Sequence, residues 1–379
     1  MANDSFYSTG SESAADTEPA ADTESADNGL AADTESAGGE QKAPAHNPKV
    51  SVCIPTYNRA DILPYAVASV LDQTYSDFEL IICDDASQDR TAEVISQWAD
   101  PRIRYIRHPQ NIQRSRNMRS GYDAAKGQYF IKFDDDDALT STFLEEAVAV
   151  LEAEPTVDFV CSDHWIINVL NQRDQAATVA NSIKWGKDRL GGIVDDLLYE
   201  TLVKQSLQVG SSLFRKRSLE AIDFMRFEAD GCEDFDLLVR CAIANQTAYF
   251  LPKRLMEYRF HGGQTSLNQD IHFLSAKSFC LASYQFCDRP ALEQFRLSSL
   301  QNLKQVLALR LIEKGETERG RTLITELKQA GTLSNRAKLG QVLSYLPAWA
   351  RQIVFTGFRQ LRAKDYSEKV RNATATTAA

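Results

Sequence analysis

From Lys49 onward, apolar residues recur first as short continuous runs and then at helical spacing, and the two patterns alternate along the chain. "KVSVCI" is β-branched and predicts a strand, "ILPYAVASVLDQ" has the spacing of a helix, and "FELIICD" is again a short apolar run. A helix pattern in "DRTAEVISQWA", a strand in "RIRYIR", a helix across Ser115–Ala125 and a strand in "QYFIKF" continue the series. Strands alternating with helices imply an α/β fold with a parallel, doubly wound sheet flanked by helices. After about Ser275 the pattern turns helical throughout, in "LQNLKQVLALRLIEKG" and "TERGRTLITELKQAG", with Gly315 and Gly331 as the expected breaks.

Length and charge refine this picture. The 379 residues exceed what one core commonly holds and predict about two domains plus tails. The formal net charge is −10, but residues 1–47 hold ten carboxylates against Lys42 alone, so this segment supplies −9 and the remainder is nearly neutral. That segment repeats Ala-Asp-Thr-Glu three times with almost no large apolar side chain, which predicts a disordered, solvated tail. It has neither the basic nor the apolar region of a secretory signal, and no run of 18 apolar residues follows. The seven cysteines are scattered and contain no Cys-x-x-Cys pair, so a disulfide framework or zinc site is not indicated and a reducing cytoplasm fits.

Three polar clusters fall at predicted strand ends, where open α/β sheets bind ligands: "PTYNR" (Pro55–Arg59), "DDAS" (Asp84–Ser87) and "DDDD" (Asp134–Asp137). Four adjacent aspartates repel one another and raise each other's pKa unless a positive charge is near. The chain has no glycine-rich phosphate loop, so a phosphate bound here needs neutralising by a metal. Oxygen ligands point to a hard cation, Mg²⁺ or Mn²⁺, shared with substrate phosphates. An EF-hand reading fails at Leu139 and Ala138, and a haloacid-type phosphatase would need its aspartate pair after the first strand.

In order, "VSVCIPTYNR", "FELIICDDAS", "RNMRSGYDAAKGQYFIKFDDDD" and "CEDFDLLVR" resemble the family 2 inverting glycosyltransferases of GT-A fold over about residues 49–262. The resemblance implies that Pro55 and Tyr57 line a base pocket, Asp85 hydrogen-bonds the base, and Asp134 or Asp135 meets the ribose. Asp136 of the Asp-x-Asp motif would bind the metal, with His261 reaching the metal or diphosphate from a loop that Gly262 and Gly263 let close. Arg116 and Asn117 match the family's Arg-Asn and give Arg116 a nucleotide role. Arg114 replaces a residue that is commonly small, and it either reads a phosphate or faces water.

Glu233 and Asp234 fall in the first turn of a helix whose apolar face is Leu237, Leu238, Cys241 and Ala242. Acids there are favoured by the helix dipole and by capping. The resemblance makes Asp234 the base that deprotonates the acceptor, with Glu233 or Asp236 as alternatives.

The expected organisation is a tail at 1–47, a glycosyltransferase domain at 48–270 with nucleotide (48–162) and acceptor (163–270) halves, and a helical region at 271–379. The expected activity is metal-assisted transfer with inversion from a nucleotide-diphosphate sugar to a saccharide or lipid-linked acceptor, in surface polysaccharide or glycoconjugate synthesis. A catalytically silent sugar-nucleotide-binding or scaffold protein of the same fold is the alternative, and a metal-dependent phosphotransferase a further rival. No nucleic-acid partner is expected. "LPAWARQIVFTGFRQLRAK" mixes Trp349, Ile353, Phe355 and Phe358 with arginines, which leaves room for peripheral contact with the inner membrane face through the C-terminal helices.

Overall fold

The computed structural model describes residues 47–260 and 270–360. The predicted alternation is realised as β1 (Val50–Thr56), α1 (Leu63–Leu71), β2 (Phe78–Asp84), α2 (Thr91–Ser96), β3 (Ile103–Arg107), α3 (Arg114–Ala124) and β4 (Tyr129–Lys132). There follow β5 (Ala138–Leu139), α4 (Phe143–Ala153), β6 (Phe159–Ile167), α5 (Gln175–Trp185), β7 (Gly192–Ile193), α6 (Leu197–Tyr199), β8 (Ser212–Arg215), α7 (Lys216–Glu220), α8 (Glu233–Ile243) and β9 (Ala248–Arg259). Helices α9 (Ile271–Ser283), α10 (Pro290–Lys314), α11 (Thr317–Gln329), α12 (Asn335–Leu343) and α13 (Ala348–Gln360) complete the described chain.

The sheet order is β3-β2-β1-β4-β8-β6-β9-β5, with β7 also paired to β9. Its first four strands are parallel. Every residue of β2 and all but one of β1 are buried, as strands covered on both faces must be. Beyond β4 the sheet is mixed: β8 runs antiparallel to β4 and β6, while β6 and β9 pair in parallel.

Strand alternation divides the core in two. Tyr129 and Ile131 of β4 pack on one face with Leu63 and Val67 of α1 and Phe143 of α4. Phe130 points to the other face, among Met118 and Tyr122 of α3 and Leu237, Leu238 and Cys241 of α8. With a period of two, Lys132 follows Phe130 toward the α3/α8 face. Burying that lysine beside the first turns of α3 and α8 is what builds the site.

The C-terminal helices hold onto α8 through Val239, which packs with Cys280, Leu281, Tyr284, Phe286 and Leu292. Gly315 (φ 99°) and Gly331 (φ 69°) follow α10 and α11 in the left-handed region, which is why the helical pattern breaks at these two positions.

Helix α3 crosses the sheet so closely that a Cβ on Gly121 would lie 2.2 Å from Cys53 Sγ and 2.7 Å from Cys83 Sγ. Neither short side chain has room to retreat. Gly121→Val should therefore lower unfolding free energy by about 1–3 kcal/mol, read as a lower denaturant midpoint with an unchanged m-value.

Candidate active site

The parallel strands β1, β2 and β4 end on one edge of the sheet, so their loops converge there. The first two loops are tied together: Asn58 N donates to Ser87 Oγ (2.9 Å), and Gln88 N donates to Asn58 Oδ1 (2.7 Å). Asp84 is occupied within this frame, accepting from Tyr105 Oη (2.5 Å) and Ser87 N (2.8 Å). Asp85 Oδ1 accepts from Ile112 N at 2.6 Å, which fixes the carboxylate at the mouth of the α3 loop. Tyr57, in the first loop, is exposed.

The four aspartates divide by environment. Asp137 is fully buried and accepts Arg259 N on Oδ1 at 2.9 Å, while Arg259 Nε donates to the Asp136 carbonyl at 2.6 Å. These contacts anchor the loop to the end of β9. Burial, with Asp136 and Asp134 nearby, holds the Asp137 carboxyl well above the usual range. Burial, and next the Asp136 charge, push Asp135 up to about 7. Asp134 accepts from Lys132 Nζ at 2.8 Å.

Lys132 is the centre of the arrangement. It is buried, and its ammonium lies 2.8 Å from Asp134 and 3.3 Å from either oxygen of Asp234, joining the end of β4 to the first turn of α8. Desolvation works against this charge, but Asp134 and Asp234 outweigh it and hold the lysine above its ordinary pKa. Arg114, the first residue of α3, lies 3.7 Å from Glu233, the first of α8. A cation is disfavoured at a helix N-terminus. Desolvation adds to that penalty, yet Glu233, Asp134, Asp234 and Asp135 together raise the guanidinium above its usual value. Glu233 is itself buried, with Oε2 unpartnered, and burial raises its pKa.

Asp134, Asp136 and Asp234 line one cavity of about 480 Å³ together with Arg59, Arg114, Lys132 and Glu233. The same cavity is also lined by His164, Asn181, Trp185, Lys187, Tyr258 and Lys277. There Lys187 donates to His164 Nδ1 at 2.8 Å and lies 3.6 Å from Asp163, a buried polar group that sequence reasoning did not single out. Pro55, Tyr57, Asp85, Asp135 and Arg116 do not line this cavity. Arg116 is exposed, its guanidinium 5.3 Å from the Phe227 ring, whereas Arg114, half exposed itself, reaches the cavity wall. Asp236 is committed elsewhere, to Arg226, to Arg240 (2.7 Å) and to Tyr284 Oη (2.6 Å). His261, Gly262 and Gly263 lie outside the described residues.

No group of three or more His, Cys, Asp or Glu side chains is clustered to hold a metal among the described residues. The acidic loop nevertheless suits Mg²⁺ or Mn²⁺, which take one or two protein carboxylates and complete their shell with water and substrate phosphate. Asp135 held near neutrality by burial and the Asp136 charge marks a place where added positive charge is favourable.

A parallel half joined to a mixed half, with an acidic loop at the strand ends, is the architecture of the GT-A glycosyltransferases. A mannosyltransferase from Pyrobaculum calidifontis, solved in complex with GDP-Man and Mn²⁺, matches with a TM-score of 0.52 at 16% identity, over 88% of this chain and 85% of that one. S. aureus TarS 1–349, in complex with UDP-GlcNAc, matches with a TM-score of 0.51 at 16% identity, over 84% and 93%. Residues 51–218 match the family model of glycosyl transferase family 2.

An uncharacterized glycosyltransferase of Haemophilus influenzae is 23% identical over 227 residues, which is 58% of this chain and 68% of the relative. The GalNAc(5)-diNAcBac-PP-undecaprenol beta-1,3-glucosyltransferase of Campylobacter jejuni is 40% identical over 98 residues, 25% of this chain and 31% of the relative. Chondroitin synthase of Pasteurella multocida is 25% identical over 262 residues, and the match spans a quarter of that enzyme, 25% of its length.

The acidic loop predicts a pH signature. Asp135 has a folded-state pKa raised from 3.8 to about 7, so its contribution to stability is full below pH 3.8 and is lost as pH rises through 7. Asp137 contributes with the same sign. Chelator-treated protein should therefore lose stability between pH 5.5 and 8, Asp135→Asn should flatten that slope, and Mn²⁺ should stabilise more at pH 8. Thermal melts with and without chelator read all three effects.

Proposed function

We propose that this protein transfers a sugar from a nucleotide-diphosphate sugar to an acceptor hydroxyl by single displacement with inversion, in surface polysaccharide or glycoconjugate synthesis. The observation that carries this reading is the convergence of Asp134 and Asp234, from distant parts of the chain, on one buried ammonium at 2.8 and 3.3 Å. A carboxylate suited to deprotonating an acceptor thus faces the loop suited to a donor's ribose and diphosphate, across one cavity.

In this reading Pro55 and Tyr57 flank the base, Asp85 accepts a hydrogen bond from it, and Asp134 or Asp135 holds the ribose. Asp136, with His261 as a second candidate ligand, would hold Mg²⁺ or Mn²⁺, which when bound neutralises the departing diphosphate. Asp234 takes the proton of the acceptor hydroxyl as that oxygen bonds to the anomeric carbon and the bond to the diphosphate breaks. Lys132 fixes the position of that carboxylate, and Arg114 adds a second cation to the cavity wall. Aromatic and cationic lining residues of the same cavity, Trp185, Tyr258 and Lys187 among them, suit a saccharide or lipid-linked acceptor. All seven cysteines are free thiols, which supports a reducing, cytoplasmic setting.

Incubating the protein with a panel of sugar nucleotides and Mn²⁺ tests the reading. An enzyme of this kind should release nucleotide diphosphate slowly without acceptor. Nucleotide monophosphate would indicate a phosphotransferase, and binding without turnover a silent sugar-nucleotide protein.

Two substitutions separate binding from chemistry. Asp234→Asn should lower kcat by about 10²–10⁴ with donor affinity nearly unchanged, because the amide keeps the volume but cannot take a proton. Asp136→Asn should instead weaken the Mn²⁺-dependent part of donor affinity, measured by calorimetry. Near-normal transfer in Asp234→Asn would move the base to Glu233, since Asp236 is held by two arginines and a tyrosine.

A further inference from the structure

The last two described helices leave an unusual amount of apolar surface in solvent. Leu339, Val342, Tyr345, Leu346, Trp349 and Ile353 are between 37 and 72% exposed. In sequence the apolar stripe of α13 is untidy because Phe355 falls among arginines; the structure resolves it into two faces. Phe355 packs inward on Ala308, Ile312 and Ile324, whereas Trp349 and Ile353, four residues apart, share the outer face. On α12 the inner face is Ala337, Gly340 and Leu343, which leaves Leu339 and Val342 outside. None of these outward residues lines the cavity.

Charge singles out the same segment. From Asn335 to Gln360 the chain carries Arg336, Lys338, Arg351 and Arg359 and not one Asp or Glu, in a protein whose formal net charge is −10. Arg336 and Lys338 are exposed on α12 beside the apolar run. A second copy of the chain is a poor occupant for this face. In an isologous dimer the acid-free segment would meet itself, bringing cations against cations with no counter-charge from within the segment. Large apolar side chains with Trp and Tyr among them, in a segment whose charged residues are all cations, fit the headgroup layer of an anionic membrane. Contact of this kind is peripheral, since no helix among the described residues is long and apolar enough to cross a bilayer. We propose that the outer face of α12 and α13 docks the protein on an anionic lipid surface.

Co-sedimentation of the full chain with vesicles tests this independently of sugar transfer. The protein should sediment with phosphatidylcholine vesicles only when phosphatidylglycerol is added, and high salt should release it. The double substitution Trp349→Ser with Ile353→Ser should lower vesicle affinity at least about tenfold with an unchanged melting temperature. Arg336→Glu with Lys338→Glu, at exposed positions, should also weaken binding. Failure to bind anionic vesicles, or equal binding to neutral ones, would overturn the proposal. So would a dimer that the Trp349/Ile353 variant converts to monomer while vesicle binding stays as before.

Discussion

Everything at the site depends on one buried positive charge. A lysine ammonium removed from water is costly unless carboxylates surround it, and Lys132 is surrounded by two that no local segment could supply together. Asp134 comes from the loop that ends β4, and Asp234 comes from the first turn of α8. The pairing therefore requires the parallel half of the sheet to be closed against the helix that the second half carries. A second cation, Arg114, sits against its own helix dipole and is held by Glu233 from the same turn of α8. Fold and site are linked through this electrostatic contact between two helix N-termini and a strand end.

Much of this was legible in the residues. Parallel strands buried on both faces must be continuous apolar runs, so β1, β2 and β4 stand out, and their ends locate the polar loops. The acidic turn at Glu233 and Asp234 was visible because an apolar face defines the helix behind it. What the pattern does not contain is pairing across the sheet's mixed half: β8, four residues long, enters between β4 and β6 although it follows both in the chain. Periodicity has no memory of such order.

Lys132 shows where the reading stopped short. A charged residue inside an otherwise apolar strand, two positions before four aspartates, is a signal in itself, because lysine is almost never buried unpaired. Asp137 and Asp236 teach the converse: both stand in acidic clusters next to candidate site residues, yet one ties its loop to β9 and the other binds two arginines and a tyrosine. Arg114 and Arg116 are two residues apart on a helix, and only the packing of α3 decides which of them reaches the cavity wall.

The central claim is that a donor's diphosphate, held at Asp136, and a base at Asp234 share the cavity that Lys132 spans. Crystals grown with a nucleotide diphosphate and Mn²⁺, measured at a wavelength where manganese scatters anomalously, test it most directly. The account predicts a manganese peak in contact with the Asp136 carboxylate and the diphosphate, with the open side of the diphosphate facing Asp234. Manganese and nucleotide bound away from Asp136, or a diphosphate turned away from α8, would contradict it.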